Sequence, residues 1–276
     1  MKWVIYILIL ILVFNSSCKD TADEIDRKVD ELKNGKNQSL NTTNSTQTQT
    51  IGKIKVASLD IDSLNYDNSN EHIINTYNNL FDNYHIFAIQ NYKGGKDLLY
   101  ELTYNTNFQY VKENDFVFLY DERYIKWIGK RTYNDGYKNK PFGINFKIKG
   151  KEYYFTIIQV LLDKYDATQE IKNLENVYNY FHDEFNNNKI FILGNMYADC
   201  YYYNTNELKD FYWIIKDEDT ITTKENCNYD RIITTENMRR NIADYGVDDY
   251  IKKNNINKDL KNILSTHYPV FFILNI

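Results

Sequence analysis

Proline is nearly missing from this chain: there are 2 in 276 residues, alongside only 10 glycines. Collagen-like repeats and Pro/Gly-rich low-complexity architectures are excluded on that ground. A surplus of positive charge is missing as well. Lys and Arg total 33 against 38 Asp and Glu, for a formal net charge of −5. The chain therefore exerts no general pull on DNA or RNA, and a nucleic-acid partner is not expected without a local basic patch. What is abundant is apolar and aromatic: 43% hydrophobic residues, enough for a sizeable core, and 26 tyrosines. The length allows one large domain or two small ones.

The N-terminus carries an export pattern. Met1-Lys2-Trp3 precedes an apolar run from Val4 to Phe14, followed by Asn15-Ser16-Ser17-Cys18. One positive charge, a short apolar stretch and small residues make a secretory signal, and the run falls short of the ~20 apolar residues of a membrane span. Cys18 after Ser16-Ser17 resembles the lipobox of bacterial lipoproteins, with Asn15 departing from its aliphatic position. The resemblance implies a signal peptide over residues 1–17 and lipidation of Cys18. It places the mature chain in the bacterial envelope, lipid-anchored outside the cytoplasm, with the membrane as a partner. An ordinary signal peptide or short anchor with an incidental Cys is the competing reading. Residues 18–50 are polar, lack apolar periodicity after Leu40, and read as a flexible tether; Asp23 to Leu32 suits a short helix within it.

From Ile51 the pattern changes. Ile54–Ile61 and Ile86–Gln90 are apolar strand candidates, with a helix over His72–Leu80 between them. Phe116–Tyr120 and Tyr124–Trp127 suggest a strand pair. Phe142–Ile148 and Tyr153–Leu161 flank Lys149-Gly150-Lys151, a hairpin turn. Ala167–Phe185 has helical spacing, with Ile171, Leu174, Val177, Tyr178 and Phe181 on one stripe. Ile190–Leu193 and Pro269–Leu274 complete the strands. The expectation is a layered α/β sandwich spanning 51–276.

Several segments in order resemble the DNase I-like endonuclease/exonuclease/phosphatase family. Ile54 to Ile61 is similar to its opening strand, Ile86 to Asn91 to its second, and Phe116 to Tyr120 to a central one. Ile190-Phe191-Ile192-Leu193-Gly194-Asn195-Met196-Tyr197 resembles its Gly-Asp-Phe-Asn strand end. Trp213, Asp217, Asp219-Thr220, Cys227 and Tyr229-Asp230-Arg231-Ile232 keep the family's order and approximate spacing. Tyr245-Gly246 and Ser265-Thr266-His267-Tyr268-Pro269-Val270 close the chain as the family's Ser-Asp-His-Tyr-Pro-Val ending does. The resemblance implies a four-layered α/β fold, two packed mixed sheets flanked by helices, with the site at one end of the sandwich.

Enzymes of that family use a divalent metal, for which Mg²⁺ needs oxygen ligands, and a His–carboxylate pair for proton transfer. Carried over by position, the first-strand Asn is Asp60, the metal-binding Glu is Asn91, and one His is Leu161. The Asp and Asn of Gly-Asp-Phe-Asn are Asn195 and Tyr197, and the Asp before the final His is Thr266. His267 alone keeps its type. Groups that act as a unit fail together, so the expectation is a non-catalytic, membrane-tethered binding or surface protein with an unidentified partner. The alternative is a metal-dependent phosphodiesterase or endonuclease with a remodelled centre, which alone would call for Mg²⁺. On the bland reading Asp60 is a solvated strand-end carboxylate and His267 a retained, hydrogen-bonded core histidine.

The same resemblance implies a framework. Asp230 and Arg231 are expected to be structural, with Arg231 as an ion-pair or hydrogen-bond partner. Cys200 and Cys227 fall where the DNase I branch forms a disulfide, two free buried thiols being the alternative; an exported chain meets a disulfide-permissive compartment. Asp219, Thr223 and Glu225 fall in a loop where relatives hold a structural Ca²⁺, against the reading of a solvated acidic loop. Tyr201, Tyr202 and Tyr203 either anchor an interface or pack inside.

Overall fold

The computed structural model describes residues 51–276 apart from 63, 65–70, 204–207, 217–220, 255 and 257–263. The signal segment 1–17, the tether 18–50 with Cys18 and the Asp23–Leu32 helix, and the loop residues Asp217, Glu218, Asp219 and Thr220 lie outside the described residues. No helix among the described residues is long and apolar enough to cross a membrane.

Strand β1 (Lys53–Asp60) is buried on both faces from Val56 onward, and β2 (Ile86–Gln90) is buried throughout. They pair in parallel, Val56 with Ile86 through Asp60 with Gln90. That arrangement needs a crossover and cover on both faces, and helix α1 (Glu71–Phe81) supplies it with Ile73, Tyr77, Leu80 and Phe81 turned inward. A second helix, α2 (Lys96–Thr103), adds Leu98, Leu99 and Leu102 to the same layer.

The next strands are β3 (Phe108–Glu113), β4 (Phe116–Asp121), β5 (Ile125–Thr132), β6 (Phe142–Ile148) and β7 (Tyr154–Leu161). The expected pairing of the Phe116–Tyr120 and Tyr124–Trp127 segments is not formed. β4 lies between β2 and β3 in one sheet, and β5 is the edge of the other. Asp121 explains the change of sheet: its carboxylate accepts from the Arg123 backbone and grips the Arg123 side chain through two nitrogens. That tight turn sends Ile125 into the space between the sheets, where it is fully buried. The β6–β7 hairpin is as expected, Phe142 opposite Gln159 through Lys147 opposite Tyr154.

The single helix expected over Ala167–Phe185 is two, α3 (Ala167–Lys172) and α4 (Leu174–Phe185), broken at Asn173. Ile171, Leu174, Val177 and Phe181 still bury together, and Tyr178 packs at their margin. The remaining elements are β8 (Ile190–Asn195), β9 (Phe211–Trp213), β10 (Asp230–Thr235), a 3-10 turn (Glu236–Asn241), β11 (Ile242–Val247), α5 (Tyr250–Lys253) and β12 (Val270–Asn275).

One sheet has the order β11-β12-β1-β2-β4-β3 and the other β5-β6-β7-β8-β10-β9. Val56, Phe118, Phe146, Ile157, Leu193 and Phe272 fill the space between them. The outer layers are α1 and α2 on Ala57, Phe87 and Ile89, and α3 and α4 on Ile158, Val160 and Ile192. This is the four-layered α/β sandwich read from the sequence. Inside it runs a polar chain. Ser58 Oγ donates to Gln90 Oε1, Gln90 Nε2 to Gln159 Oε1 at 2.7 Å, and Gln159 Nε2 to the Val117 carbonyl. Each of these buried amides is satisfied, so the chain stitches the sheets together instead of weakening the core.

Candidate functional site

The ends of β1, β2, β7 and β8 and the start of β10 meet at one end of the sandwich. Leu161 pairs with Asn195, and Asn195 with Asp230, across adjacent strands. Gly194 makes this approach possible. Its φ is +142°, and a Cβ there would stand 2.0 Å from the Val160 carbonyl oxygen, so no side chain fits. His267 arrives on the segment before β12, bridged in backbone to Thr223. Ser265 fixes it there, accepting from the His267 amide at 2.9 Å while its hydroxyl bonds the Asp60 carbonyl.

His267 is not isolated. Its Nδ1–H donates to Asp230 Oδ2 at 2.7 Å, and its Nε2 lies 4.0 Å from Asp60 Oδ2. Asp230 was expected to serve the framework beside Arg231; its carboxylate instead orients the histidine. The loss of every acid/base partner inferred from the sequence is thereby corrected, since one imidazole–carboxylate pair remains. Arg231 is buried and donates to the Ala198 carbonyl at 2.8 Å. The expectation for Asp60 is overturned too. It is 2% exposed, because strand pairing carries it to the centre of the strand ends, not to the rim. Asn195 Nδ2 donates to Asp60 Oδ2 at 2.8 Å, and Asn195 Oδ1 accepts from the Tyr197 amide.

The charges here are coupled. Burial pushes the Asp60 carboxyl up to about 6, against the lowering effect of His267 and the Asn195 hydrogen bond. For His267, burial alone would lower the imidazole; the Asp230 charge and hydrogen bond outweigh it, with Asp60 and Asp62 adding to them, and raise it to about 9. At neutral pH the group is an imidazolium between two carboxylates. Asp60 Oδ1 and Asp230 Oδ1 are buried without a hydrogen-bond partner.

Three tyrosines cover this centre. Tyr197, left-handed at φ 47, packs tilted against Tyr229 at 5.1 Å and meets Tyr202 at 5.5 Å; Tyr229 lies 6.4 Å from the His267 ring. Burial raises the Tyr197 hydroxyl to about 12, with Asp60 adding to the effect. Of the three neighbouring tyrosines, Tyr201 is fully exposed, Tyr202 joins this cluster, and Tyr203 packs on Trp213. Thr266 bonds Asp62, its hydroxyl donating at 2.8 Å. Asp62 was not singled out in the sequence, although its two-residue spacing from Asp60 was a usable signal.

Of the residues that the resemblance assigns to Mg²⁺, Asn91 and Asn195 bring no charge to the ion. Asn91, which the resemblance places where relatives have the metal-binding Glu, is a neutral amide on left-handed backbone beyond β2. Asp60 already faces an imidazolium and an amide N–H, and Asn195 turns its NH₂, not its oxygen, toward Asp60. Cys200 and Cys227 form the expected disulfide, so their sulfurs beside Asp199 are closed to a metal. For Ca²⁺, Asp219 lies outside the described residues, the Thr223 hydroxyl is committed to the Cys227 backbone, and Glu225 is exposed. Thr223 therefore serves the turn and does not offer its hydroxyl as a ligand.

No protein-family model matches the chain. Deoxyribonuclease-1 of Gallus gallus is 28% identical over 180 residues, covering 57% of this chain and 64% of that protein. The Bos taurus enzyme is 28% identical over 152 residues, 50% of this chain and 53% of its own length. The chain thus spans between half and two thirds of the length of these curated relatives. Among solved structures, D. rerio TDP2 with a single-strand DNA product superposes with a TM-score of 0.59 at 12% identity, over 82% of this chain and all of that one. An endonuclease/exonuclease/phosphatase family protein of Bacteroides thetaiotaomicron gives 0.57 at 13%, over 80% of this chain and 97% of that one. A mannosyl-6-phosphatase of the same organism gives 0.56 at 12%, over 79% and 98%.

Proposed function

Since the chain has the DNase I-like α/β sandwich of endonuclease/exonuclease/phosphatase proteins, we propose that it is a lipid-anchored envelope protein that has kept the frame and given up phosphoryl transfer, and that it works by binding. One observation carries this reading: the Asp60 carboxylate faces the second nitrogen of His267 while Asp230 holds the first. An imidazolium held between two carboxylates gives up its proton reluctantly, and a buried negative charge beside it repels an incoming phosphate. The aliphatic Leu161 at the second histidine's position and Asn91 at the metal carboxylate's position support the same conclusion, because neither moves a proton nor brings charge to a cation.

A second reading, a phosphodiesterase with a remodelled centre, is favoured by the Asp230–His267 pair alone. Purified full-length chain is incubated with supercoiled plasmid and with p-nitrophenyl phosphate in Mg²⁺, Mn²⁺ or Ca²⁺, beside a His267→Ala variant. The expected result is no nicking and no phosphate release from either protein. Turnover present in the wild type and absent from His267→Ala would establish the second reading instead.

A further inference from the structure

Helix α4 covers the outer face of the second sheet only as far as its last turn. Phe181 lies over Gly143, where a Cβ would stand 2.4 Å from the ring, and Phe185 lies over Gly129. Asn186 then adopts left-handed backbone at φ 46 and ends the helix. Beyond that point a cavity of about 490 Å³ opens between the α4–β8 turn and strands β5 to β7. That volume is within the range of small-molecule sites. Asn145 and Tyr154 line it from the sheet, with Ile128 at the β5 bulge between Trp127 and Gly129. Asn187, His182 and Lys189 line it from the turn.

The chemistry of this cleft is unlike that of the chain around it. The protein has 38 acidic residues, yet no carboxylate lines the cavity. Asn187 is 8% exposed, its Oδ1 accepts from the Lys189 amide at 3.0 Å, and its Nδ2 lies 3.4 Å from Asn145 Oδ1. The two amides are therefore held side by side before any ligand arrives. On the same face Lys126 stands directly opposite Lys147 in the β5–β6 register, and like charges so placed repel. Lys147 Nζ sits 4.8 Å from the Tyr154 ring, beside the cavity. Glu152 pairs with Lys147 and feels Lys126, one carboxylate for two cations. The nearby acids Asp183 and Glu184 are engaged by His182 and Arg131.

We propose that this cleft binds an acidic oligosaccharide. Asn187 spends its amide on Lys189, Thr156 and Asn145, which fixes Asn145 with its Nδ2 left to donate to a sugar hydroxyl. The Tyr154 ring, whose hydroxyl donates to Glu152 and over which Lys147 lies, gives the apolar C–H face of a sugar a surface on its other side; Lys189 in the lining, with Lys126 and Lys147 beside it, answers sulfate or carboxylate groups through charge-assisted hydrogen bonds. The cleft lies at the opposite end of the sandwich from His267, so it stands whatever that centre does.

Calorimetric titration of the full-length chain with a heparin-derived hexasaccharide, and separately with neutral chitotetraose, tests the assignment. The acidic sugar binds and the neutral one binds at least about tenfold more weakly, the scale set by losing one or two charge-assisted contacts. A Lys147→Glu/Lys189→Glu variant that unfolds at the wild-type temperature loses the heparin signal, and Asn145→Ala weakens it. Absence of binding to the folded wild type, equal binding of the two sugars, or undiminished binding by the double variant would each overturn it.

Discussion

At the scale of residues, the His267 centre makes stability depend on pH with a definite sign. The folded imidazole is raised to about 9 from an ordinary 6.5 by Asp230 and its neighbours against the opposing effect of burial. Its contribution is fully present below about 6.5 and is lost as pH rises through about 9. Asp60 acts in the same direction at lower pH. Its folded carboxyl is raised from 3.8 to about 6, so stability falls as pH rises between those values. The melting temperature should therefore decline from pH 6.5 to 9, and Asp230→Asn should flatten that decline. A wild-type melting curve that does not move across this window would mean that the pair is not formed. Asp60→Asn replaces the carboxylate by a neutral amide and should lower the His267 titration midpoint, read from its imidazole proton resonances.

At the scale of elements, the crossing of β7 and β8 depends on Gly194. An alanine there meets the Val160 carbonyl at 2.0 Å in a backbone region closed to side chains, so Gly194→Ala should cost roughly 2–4 kcal/mol from overpacking and backbone strain, measured by urea unfolding. The strands readable in the sequence were those buried on both faces, β1, β2, β4, β7 and β8, because an unbroken apolar run needs no context, together with β6 and β12, whose apolar residues alternate with half-buried ones. Of the edge strands only the start of β5 was readable, within Tyr124–Trp127. β5 is mostly exposed, β3 is half-exposed, and no residue of β11 is buried, so their alternation is faint. The β4–β5 pairing misled because a short loop usually joins partners, whereas Asp121 turns this one toward the other sheet. At the site, the order of short motifs located Asp60, Asn195 and His267. Their burial and the bond between His267 and Asp230, 37 residues apart in sequence, depend on strand register that only the folded chain supplies.

At the scale of the whole molecule, the export reading makes its own prediction. Expressed in a bacterial host fed labelled palmitate, the chain should take up label and partition into detergent, and Cys18→Ser should abolish both; an unlabelled wild type would rule out lipidation. The frame adds a directional element. Ile276 N–H donates to the Gly52 carbonyl at 3.1 Å, and Lys151 Nζ reaches the Ile276 carbonyl. The chain thus begins and closes the sandwich at one pole, and the 8-residue strand β1 runs from there to Asp60, a span of about 25 Å. Surface capture through Ile276 would hold the sandwich by that pole. It would present the His267 face to solvent and crowd the carbohydrate cleft against the support, so a binding screen on immobilised protein would sample one end of this molecule and leave the other unread.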